Sequence, residues 1–163
     1  MKLYLSKGKG TGPTELASFD NALYKAGINN LNLLPLSSVI PPNSEIVLQK
    51  PKKKFTYGDK AYIVMSSQTT SKLNETVCAG IGWVQSKNDK SGLFVEIHGT
   101  SKATVKREII ETLNSMRKYR SKEFGKINMV LQDATCTKEP VCAFVSAFYQ
   151  SEGWENEVCK TSV

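Results

Sequence analysis

The chain of 163 residues contains a single histidine, His98, and its four cysteines include no CxxC pair. Closed zinc sites are built from several Cys and His ligands at short spacings, so a site of that kind is excluded and we expect no metal. Cys78 and Cys142 lie in apolar segments and are expected in the core. Cys136 and Cys159 lie in polar stretches and are expected to be exposed.

The sequence also lacks long hydrophobic runs. Its apolar stretches are much shorter than the ~18 residues that a transmembrane helix requires. The N-terminus, MKLYLSKGKGTG, has only three apolar residues in a row, too few for the core of a signal peptide. We therefore expect a cytoplasmic protein without membrane association, in an environment that disfavours disulfides.

Acidic residues are outnumbered by basic ones, which gives a net charge of +7. Such a balance favours an anionic partner such as nucleic acid. The densest basic cluster comprises Lys50, Lys52, Lys53 and Lys54, with one aromatic neighbour, Phe55. A solvated loop accounts for this cluster more simply than a phosphate-binding patch, and the sequence contains no helix-turn-helix, RNP or zinc-finger motif. A basic module that binds RNA stays open as an alternative function.

Hydrophobic periodicity predicts two helices and roughly seven strands. The first helix is expected at 14–26, where Thr14 suits the start and Gly27 the end. The second is expected at 103–120, with a basic outer face. Strand-like patterns occur at 2–6, 30–40, 61–68, 76–85, 92–99, 127–134 and 141–150, and 44–48 is a candidate further strand. Because strands and helices do not alternate strictly and no linker interrupts the chain, we expect one α+β layered domain over 1–163.

The glycine-rich stretch KGKGTG follows the first predicted strand. Glycines allow backbone N–H groups to approach a phosphate, but this stretch lacks the endings of a P-loop and of a dinucleotide-binding loop. We therefore expect a plain turn.

The strand GLFVEIHG contains a carboxylate at its centre. Its alternation places Phe94, Glu96 and His98 on one face, and Val95 and Ile97 on the other. Glu96 either faces solvent or lines a poorly solvated pocket, where burial would raise its pKa and make it a proton donor. His98 is expected to be a polar residue at the edge of the strand.

Two adjacent serines, Ser37 and Ser38, interrupt the apolar run NLNLLPLSSVIPP. The pair either marks a turn or forms a reactive bond. In the second case the Ser38 hydroxyl attacks the Ser37 carbonyl, an ester forms, β-elimination cuts the chain, and hydrolysis leaves a pyruvoyl group. This chemistry requires a strained, rigid turn and a polarised carbonyl. Asn30 and Asn32 are close enough in sequence to donate hydrogen bonds there.

The segment GPTELASFDNALYKAGINNLNLLPLSSVIPPNSEIV resembles the N-terminal part of the pyruvoyl-dependent arginine decarboxylases. The shared features are an FD within a helix, an AGI turn, an N-x-N-L run, Ser-Ser, Pro-Pro and E-I-V. GLFVEIHG resembles the GLxxE strand of that family. The resemblance extends to about residue 150, and the tail from Ser151, with its weak pattern, lies outside it. Two departures flank the serines: Asn29 stands where glycine is frequent, and Pro35 where a basic or polar residue is frequent.

The resemblance implies that the chain cuts itself between Ser37 and Ser38. Residues 1–37 would form a small β chain. Residues 38–163 would form an α chain that begins with a covalent pyruvoyl group derived from Ser38.

The resemblance also implies roles for three further residues. Asn32 matches the asparagine that assists processing, which would polarise the Ser37 carbonyl. Glu96 matches the catalytic glutamate, the proton donor. Asp20 matches the acid that binds the guanidinium of the substrate, a pairing with bidentate geometry.

The implied activity converts L-arginine to agmatine and CO₂ through a Schiff base on the pyruvoyl group, without a metal or a diffusible cofactor. The implied fold is a four-layer αββα sandwich of mainly antiparallel sheets. Its protomers assemble as a trimer, or a dimer of trimers, with active sites between protomers, and no nucleic acid is involved. A related pyruvoyl decarboxylase acting on another amino acid stays open, histidine above all, because Asp20 would also suit imidazolium.

Overall fold

The computed structural model describes residues 1–154, which form nine strands and two helices. The strands are β1 Lys2–Thr11, β2 Asn32–Pro35, β3 Val39–Ile40, β4 Glu45–Val47, β5 Lys60–Thr70, β6 Thr76–Gln85, β7 Gly92–Gly99, β8 Asn128–Thr135 and β9 Val141–Glu152. The helices are α1 Glu15–Ala26 and α2 Lys102–Met116, and a 3-10 turn, Arg117–Tyr119, follows α2. The predicted α+β class is confirmed.

The strands form two sheets, which we call sheet A and sheet B. Sheet A has the order β2-β5-β9-β1-β4, and sheet B the order β3-β7-β6-β8. Most neighbours are antiparallel, and the pairs β1–β4 and β2–β5 are parallel. Strand β9 lies at the centre of sheet A, as its apolar side chains on both faces predict.

A buried cluster joins the two sheets, with side chains from β1, β5 and β9 of sheet A and from β6, β7 and β8 of sheet B. A second cluster lies between α1 and sheet A. A third lies between α2 and sheet B. Each sheet therefore buries apolar side chains on both of its faces.

Helix α1 begins and ends where the sequence predicts. The Thr14 side chain accepts a hydrogen bond from Ala17 N, which caps the helix N-terminus. Gly27 adopts a left-handed conformation with φ of 79° and ends the helix. Helix α2 is shorter than predicted, because its last predicted turn tightens into the 3-10 turn. Neither helix of residues 1–154 is long and apolar enough to cross a membrane.

The stretch KGKGTG is not a turn, so that prediction is wrong. Strand β1 runs through it and pairs with β9 as far as Thr11. The glycines are needed because α1 packs directly on the strand. A Cβ at Gly8 would lie 2.0 Å from Ala22 O, and one at Gly10 would lie 1.9 Å from Ser18 O. The glycines here permit close packing of a helix on a strand.

The predicted extended segment 30–40 is divided between the two sheets. Strand β2 pairs with β5 in sheet A, and β3 pairs with β7 in sheet B. The Leu36 N–H donates to Ile63 O at 2.8 Å, and the Phe94 N–H donates to Ser38 O at 2.8 Å. The peptide bond between Ser37 and Ser38 therefore lies where the chain crosses from one sheet to the other.

The predicted burial is confirmed for two of the cysteines and is wrong for a third. Cys78 and Cys142 are buried as expected, and burial raises the pKa of the Cys142 thiol to about 12. Cys136 was expected to be exposed, but it is 1% exposed and its Sγ donates to Glu139 O. Its backbone is held by the segment before β6, since Asn74 N–H donates to Cys136 O and Cys136 N–H donates to Glu75 O. Cys159 lies outside the described residues.

Strand β9 continues through Ser151 and Glu152, so the first part of the predicted loose tail is a strand, and the tail beyond residue 154 lies outside the described residues.

The residues between β4 and β5 form a loop in which Lys50, Lys52 and Lys53 are exposed, as the solvated-loop interpretation predicts.

Candidate functional site

Ser38 has an uncommon backbone conformation. Its φ is 61°, in the left-handed region. For a residue with a Cβ this conformation costs about 1–2 kcal/mol relative to the right-handed form. Such a conformation persists only where the surroundings hold it. Ser38 thus has the strained backbone that the cleavage hypothesis requires.

Hydrogen bonds hold the chain on both sides of Ser38. Upstream, the Leu36 N–H donates to Ile63 O of β5. Downstream, the Phe94 N–H of β7 donates to Ser38 O, and the Tyr149 hydroxyl donates to Val39 O at 2.9 Å. These contacts come from three strands and both sheets, so the crossing segment is immobilised rather than free in solvent.

The Ser38 side chain contacts the one carboxylate that the sequence placed in the middle of a strand. Ser38 Oγ donates to Glu96 Oε1 at 2.5 Å. A hydroxyl–carboxylate contact of this length is typical of a strong, charge-assisted hydrogen bond. The structure therefore brings together two residues that are 58 positions apart in the chain.

Glu96 is half-buried because of its position in β7. The alternation predicted for this strand holds: Phe94 is fully buried in the cluster between the sheets, while Val95 packs against α2 on the other face. Burial raises the pKa of the Glu96 carboxyl, and the hydrogen bond from Ser38 partly offsets this rise. His98, two residues further on, is exposed, as expected for a polar residue at the strand edge.

This arrangement can activate a serine as a nucleophile. A carboxylate that accepts the hydroxyl proton increases the nucleophilicity of the oxygen. The neighbouring carbonyl, Ser37 O, accepts no hydrogen bond from residues 1–154, so the group that would polarise it is not provided within that part of one chain. In the same residues, no group of three or more His, Cys, Asp or Glu side chains could hold a metal ion.

Asn32 lies on β2, and its hydrogen bonds do not go to the serine pair. Its side-chain amide donates to Gly58 O at 2.6 Å, and its backbone N–H donates to Asp59 O. Asn30 also faces this loop, since its carbonyl accepts from the Gly58 N–H. Both asparagines therefore bind the turn before β5.

Asp20 is exposed on α1, which packs on sheet A. Within residues 1–154 its carboxylate makes no hydrogen bond or ion pair. The structure leaves Asp20 available to a partner, and no hydrogen bond joins its carboxylate to Ser38 or Glu96 within those residues.

Two groups at the site were not predicted from the sequence. The Phe94 backbone N–H could not be assigned, because any residue except proline supplies such a donor. Tyr149 was assigned only to an apolar strand. A tyrosine within a fully buried run does indicate that its hydroxyl needs a partner, but the sequence does not indicate which one.

The site thus consists of a strained, immobilised serine whose hydroxyl donates a hydrogen bond to a half-buried carboxylate. The sequence profile of the family described as pyruvoyl-dependent arginine decarboxylase (PvlArgDC) matches residues 2–152. The chain belongs to this family, and the resemblance noted from its sequence motifs is confirmed.

Individual relatives agree with the family match. The pyruvoyl-dependent arginine decarboxylase of Methanocaldococcus jannaschii is 34% identical over 149 residues, which cover 88% of this chain and 86% of that protein. The protein of the same name from Pyrococcus abyssi is 31% identical and covers 81% of this chain and 84% of its own length. That of Picrophilus torridus is 35% identical over 99 residues, 60% of this chain. The chain spans about half of the Picrophilus protein, 54% of its length.

Proposed function

We propose that this protein is a self-cleaving, pyruvoyl-dependent arginine decarboxylase that converts L-arginine to agmatine and CO₂. The observation that carries the proposal is the contact of Ser38 Oγ with Glu96 at a left-handed Ser38, in a chain that matches the family over residues 2–152. A strained serine beside a carboxylate has no evident structural purpose, whereas both features are needed for cleavage at this bond.

The first step of cleavage transfers an acyl group from nitrogen to oxygen. Ser38 Oγ attacks the Ser37 carbonyl carbon and gives its proton to Glu96, the C–N bond breaks, and the nitrogen takes up a proton. The product is an ester between Ser37 and the Ser38 side chain. The chain on the two sides of the bond is held by different sheets, which keeps Ser38 in its left-handed conformation. Formation of the ester relieves this strain and is therefore favoured.

The second step breaks the ester by β-elimination. A base removes the proton on the Ser38 Cα, the Cβ–Oγ bond breaks, and Ser37 leaves with its carboxylate. The developing negative charge lies on the Ser38 carbonyl oxygen, which already accepts the Phe94 N–H at 2.8 Å. A donor aimed at the oxygen where charge develops stabilises the transition state. Water then converts the dehydroalanine to a ketone and releases ammonia.

The surroundings of Ser38 fit the covalent pyruvoyl group that the family name implies. The Phe94 N–H would hold its amide carbonyl, the Tyr149 hydroxyl would hold the following peptide, and Glu96 would lie beside the carbons that come from Ser38 Cα and Cβ. The group supplies an electron-withdrawing carbonyl that takes up the electrons left when the substrate loses CO₂.

Glu96 acts in opposite protonation states in the two reactions. In cleavage it accepts a proton and must be ionised. In decarboxylation it donates a proton to the substrate carbon that has lost CO₂, and must be protonated. Burial raises its pKa, and the Ser38 hydroxyl, which lowers the pKa, is consumed by cleavage. Maturation therefore raises the pKa of Glu96 further and prepares it as a proton donor.

We also propose the four-layer αββα order for the fold, in which α1 and α2 cover the outer faces of two stacked sheets. The separate clusters between α1 and sheet A, between the sheets, and between sheet B and α2 support this order. The three free thiols among residues 1–154 support a reducing compartment such as the cytoplasm.

Assembly as a trimer, or a dimer of trimers, would complete the active site. Asp20 and Asn32 are exposed, and within residues 1–154 neither forms a hydrogen bond with Ser38. We propose that a neighbouring subunit brings Asp20 to the guanidinium of arginine, where a carboxylate forms a bidentate pair. In the assembled protein Asn32 would polarise the Ser37 carbonyl.

The direct test of the activity is release of CO₂ and agmatine from L-arginine by the purified, cleaved protein. Histidine, ornithine and lysine serve as competing substrates, and Ser38→Ala serves as the control that cannot form the group. Turnover of arginine well above the other three, absent in Ser38→Ala, is expected. A cleaved protein that decarboxylates histidine instead would overturn the choice of substrate but leave the cleavage chemistry standing.

A further inference from the structure

Tyr149 lies near the end of β9, and its hydroxyl contacts the segment that follows Ser38. The residue is 9% exposed. Its ring packs edge-on against Phe94, with ring centroids 6.3 Å apart, and its hydroxyl donates to Val39 O at 2.9 Å. Tyr149 therefore links the central strand of sheet A to the first residue of β3 in sheet B.

The Val39 carbonyl has no partner in its own sheet. Strand β3 is an edge strand and pairs only with β7, with Val39 opposite Leu93. In an antiparallel pair, hydrogen-bonded and non-bonded positions alternate. Because Ser38 O accepts from the Phe94 N–H, Val39 occupies the non-bonded position and its carbonyl points away from β7. Tyr149 supplies the donor that this carbonyl would otherwise lack.

An irregularity of β9 occurs at this tyrosine. Along β5 and β9, Tyr62 pairs with Gln150 and Ile63 pairs with Phe148, so the register skips Tyr149. Irregularities of this kind change the direction of a side chain, and they are frequent next to active sites. The skip occurs where β9 faces the crossing segment.

We infer that Tyr149 is a positioning residue for self-cleavage. This inference rests on the cleavage proposed above. By fixing the Val39–Ile40 peptide on sheet A, the hydroxyl keeps the preceding carbonyl, Ser38 O, on the Phe94 N–H and keeps Ser38 left-handed, with Oγ directed at Glu96. Tyr149 does not touch the reacting atoms, and it acts through the backbone that follows Ser38.

The hydroxyl is able to donate throughout the working pH range. Burial, and secondarily the nearby charge of Glu96, raise the pKa of Tyr149 well above its ordinary value. The phenol therefore stays protonated, and its contact with Val39 O is independent of pH.

The test is the rate of self-cleavage of Tyr149→Phe, followed by intact mass from the freshly made, uncut chain. Phenylalanine keeps the ring contact with Phe94 and removes only the hydroxyl. Tyr62→Phe is the matched control, because Tyr62 also donates a hydrogen bond, to Glu152, away from Ser38. We expect Tyr149→Phe to be cleaved about five to ten times more slowly, as the loss of one neutral hydrogen bond predicts, and Tyr62→Phe to be cleaved at the wild-type rate.

Hydroxylamine separates positioning from a general loss of stability. It cleaves esters, so its effect reports how fast the Ser37 ester forms. We expect hydroxylamine-induced cleavage of Tyr149→Phe to be slowed by the same factor as spontaneous cleavage, with a melting temperature close to that of Tyr62→Phe. Cleavage of Tyr149→Phe at the wild-type rate, or equal slowing in Tyr62→Phe, would overturn this inference and leave the proposed function standing. A wild-type chain that never cuts would overturn the proposed function itself.

Discussion

The strained conformation of Ser38 predicts that glycine is more stable than alanine at this position, the reverse of the usual order. Ser38→Ala and Ser38→Gly both remove the nucleophile, so both variants stay uncut, and both lose the hydrogen bond to Glu96. They differ in the backbone. Ser38 has a φ of 61°, a region that glycine enters freely and alanine does not.

The magnitude follows from two opposing effects. Holding alanine in the left-handed region costs about 1–2 kcal/mol. Glycine, in turn, loses more chain entropy on folding, about 0.5–1 kcal/mol relative to alanine. The difference leaves Ser38→Gly more stable than Ser38→Ala by about 0.5–1 kcal/mol. For a domain of this size, that corresponds to a melting temperature higher by roughly 1–4 °C.

Urea or thermal unfolding of the two uncut variants, at equal protein concentration, measures this difference. The matched control is Ser37, the neighbouring residue, whose φ is not positive. In a Ser38→Ala background, Ser37→Gly should be less stable than Ser37→Ala, the ordinary order. If glycine lowers stability at both positions by the same amount, Ser38 is not strained and the argument for stored strain fails.

The remaining predictions concern Glu96 and Asp20. Glu96→Gln should slow both self-cleavage and decarboxylation by about 10²–10⁴-fold, the usual contribution of a general acid or base, whereas Glu75→Gln, which also alters a carboxylate that accepts a hydroxyl hydrogen bond, should affect neither rate. The two reactions should depend on pH in opposite directions: cleavage rises as Glu96 ionises, and decarboxylation falls as it ionises. The midpoint for cleavage should be the lower one, because the hydrogen bond from Ser38 lowers the pKa only in the uncut chain; rate profiles of the same shape for both reactions would contradict the double role. Asp20→Asn should reduce kcat/KM for arginine roughly 10–100-fold through loss of a charged hydrogen bond, without slowing cleavage. Glu15→Gln on the same helix is the control, and an equal loss in both variants would argue against a contact with the guanidinium.

Local patterns in the sequence predicted most of the elements. Helix α1 could be placed from Thr14 and Gly27 because caps are formed by neighbouring residues. The face of Glu96 could be assigned because strand alternation is local as well. Both predictions use only the few residues around the position in question.

The errors and omissions have a common cause, which is contact between distant parts of the chain. The glycines of β1 are required by α1 packing against them, and the burial of Cys136 depends on how its loop folds. The same applies to the site: Tyr149 contacts Val39 across 110 residues. The role of Ser38 was therefore indicated by resemblance to a family, and composition alone did not distinguish a reactive bond from a turn.

The central claim is that the chain cuts itself between Ser37 and Ser38, and intact-mass measurement of the purified protein tests it most directly. The account predicts two polypeptides, residues 1–37 and 38–163, and a mass increase of the larger one on borohydride reduction, since its new N-terminus carries a ketone. Ser38→Ala should give a single chain. One uncut species of 163 residues from the wild-type gene, unaffected by borohydride or hydroxylamine, would contradict the account.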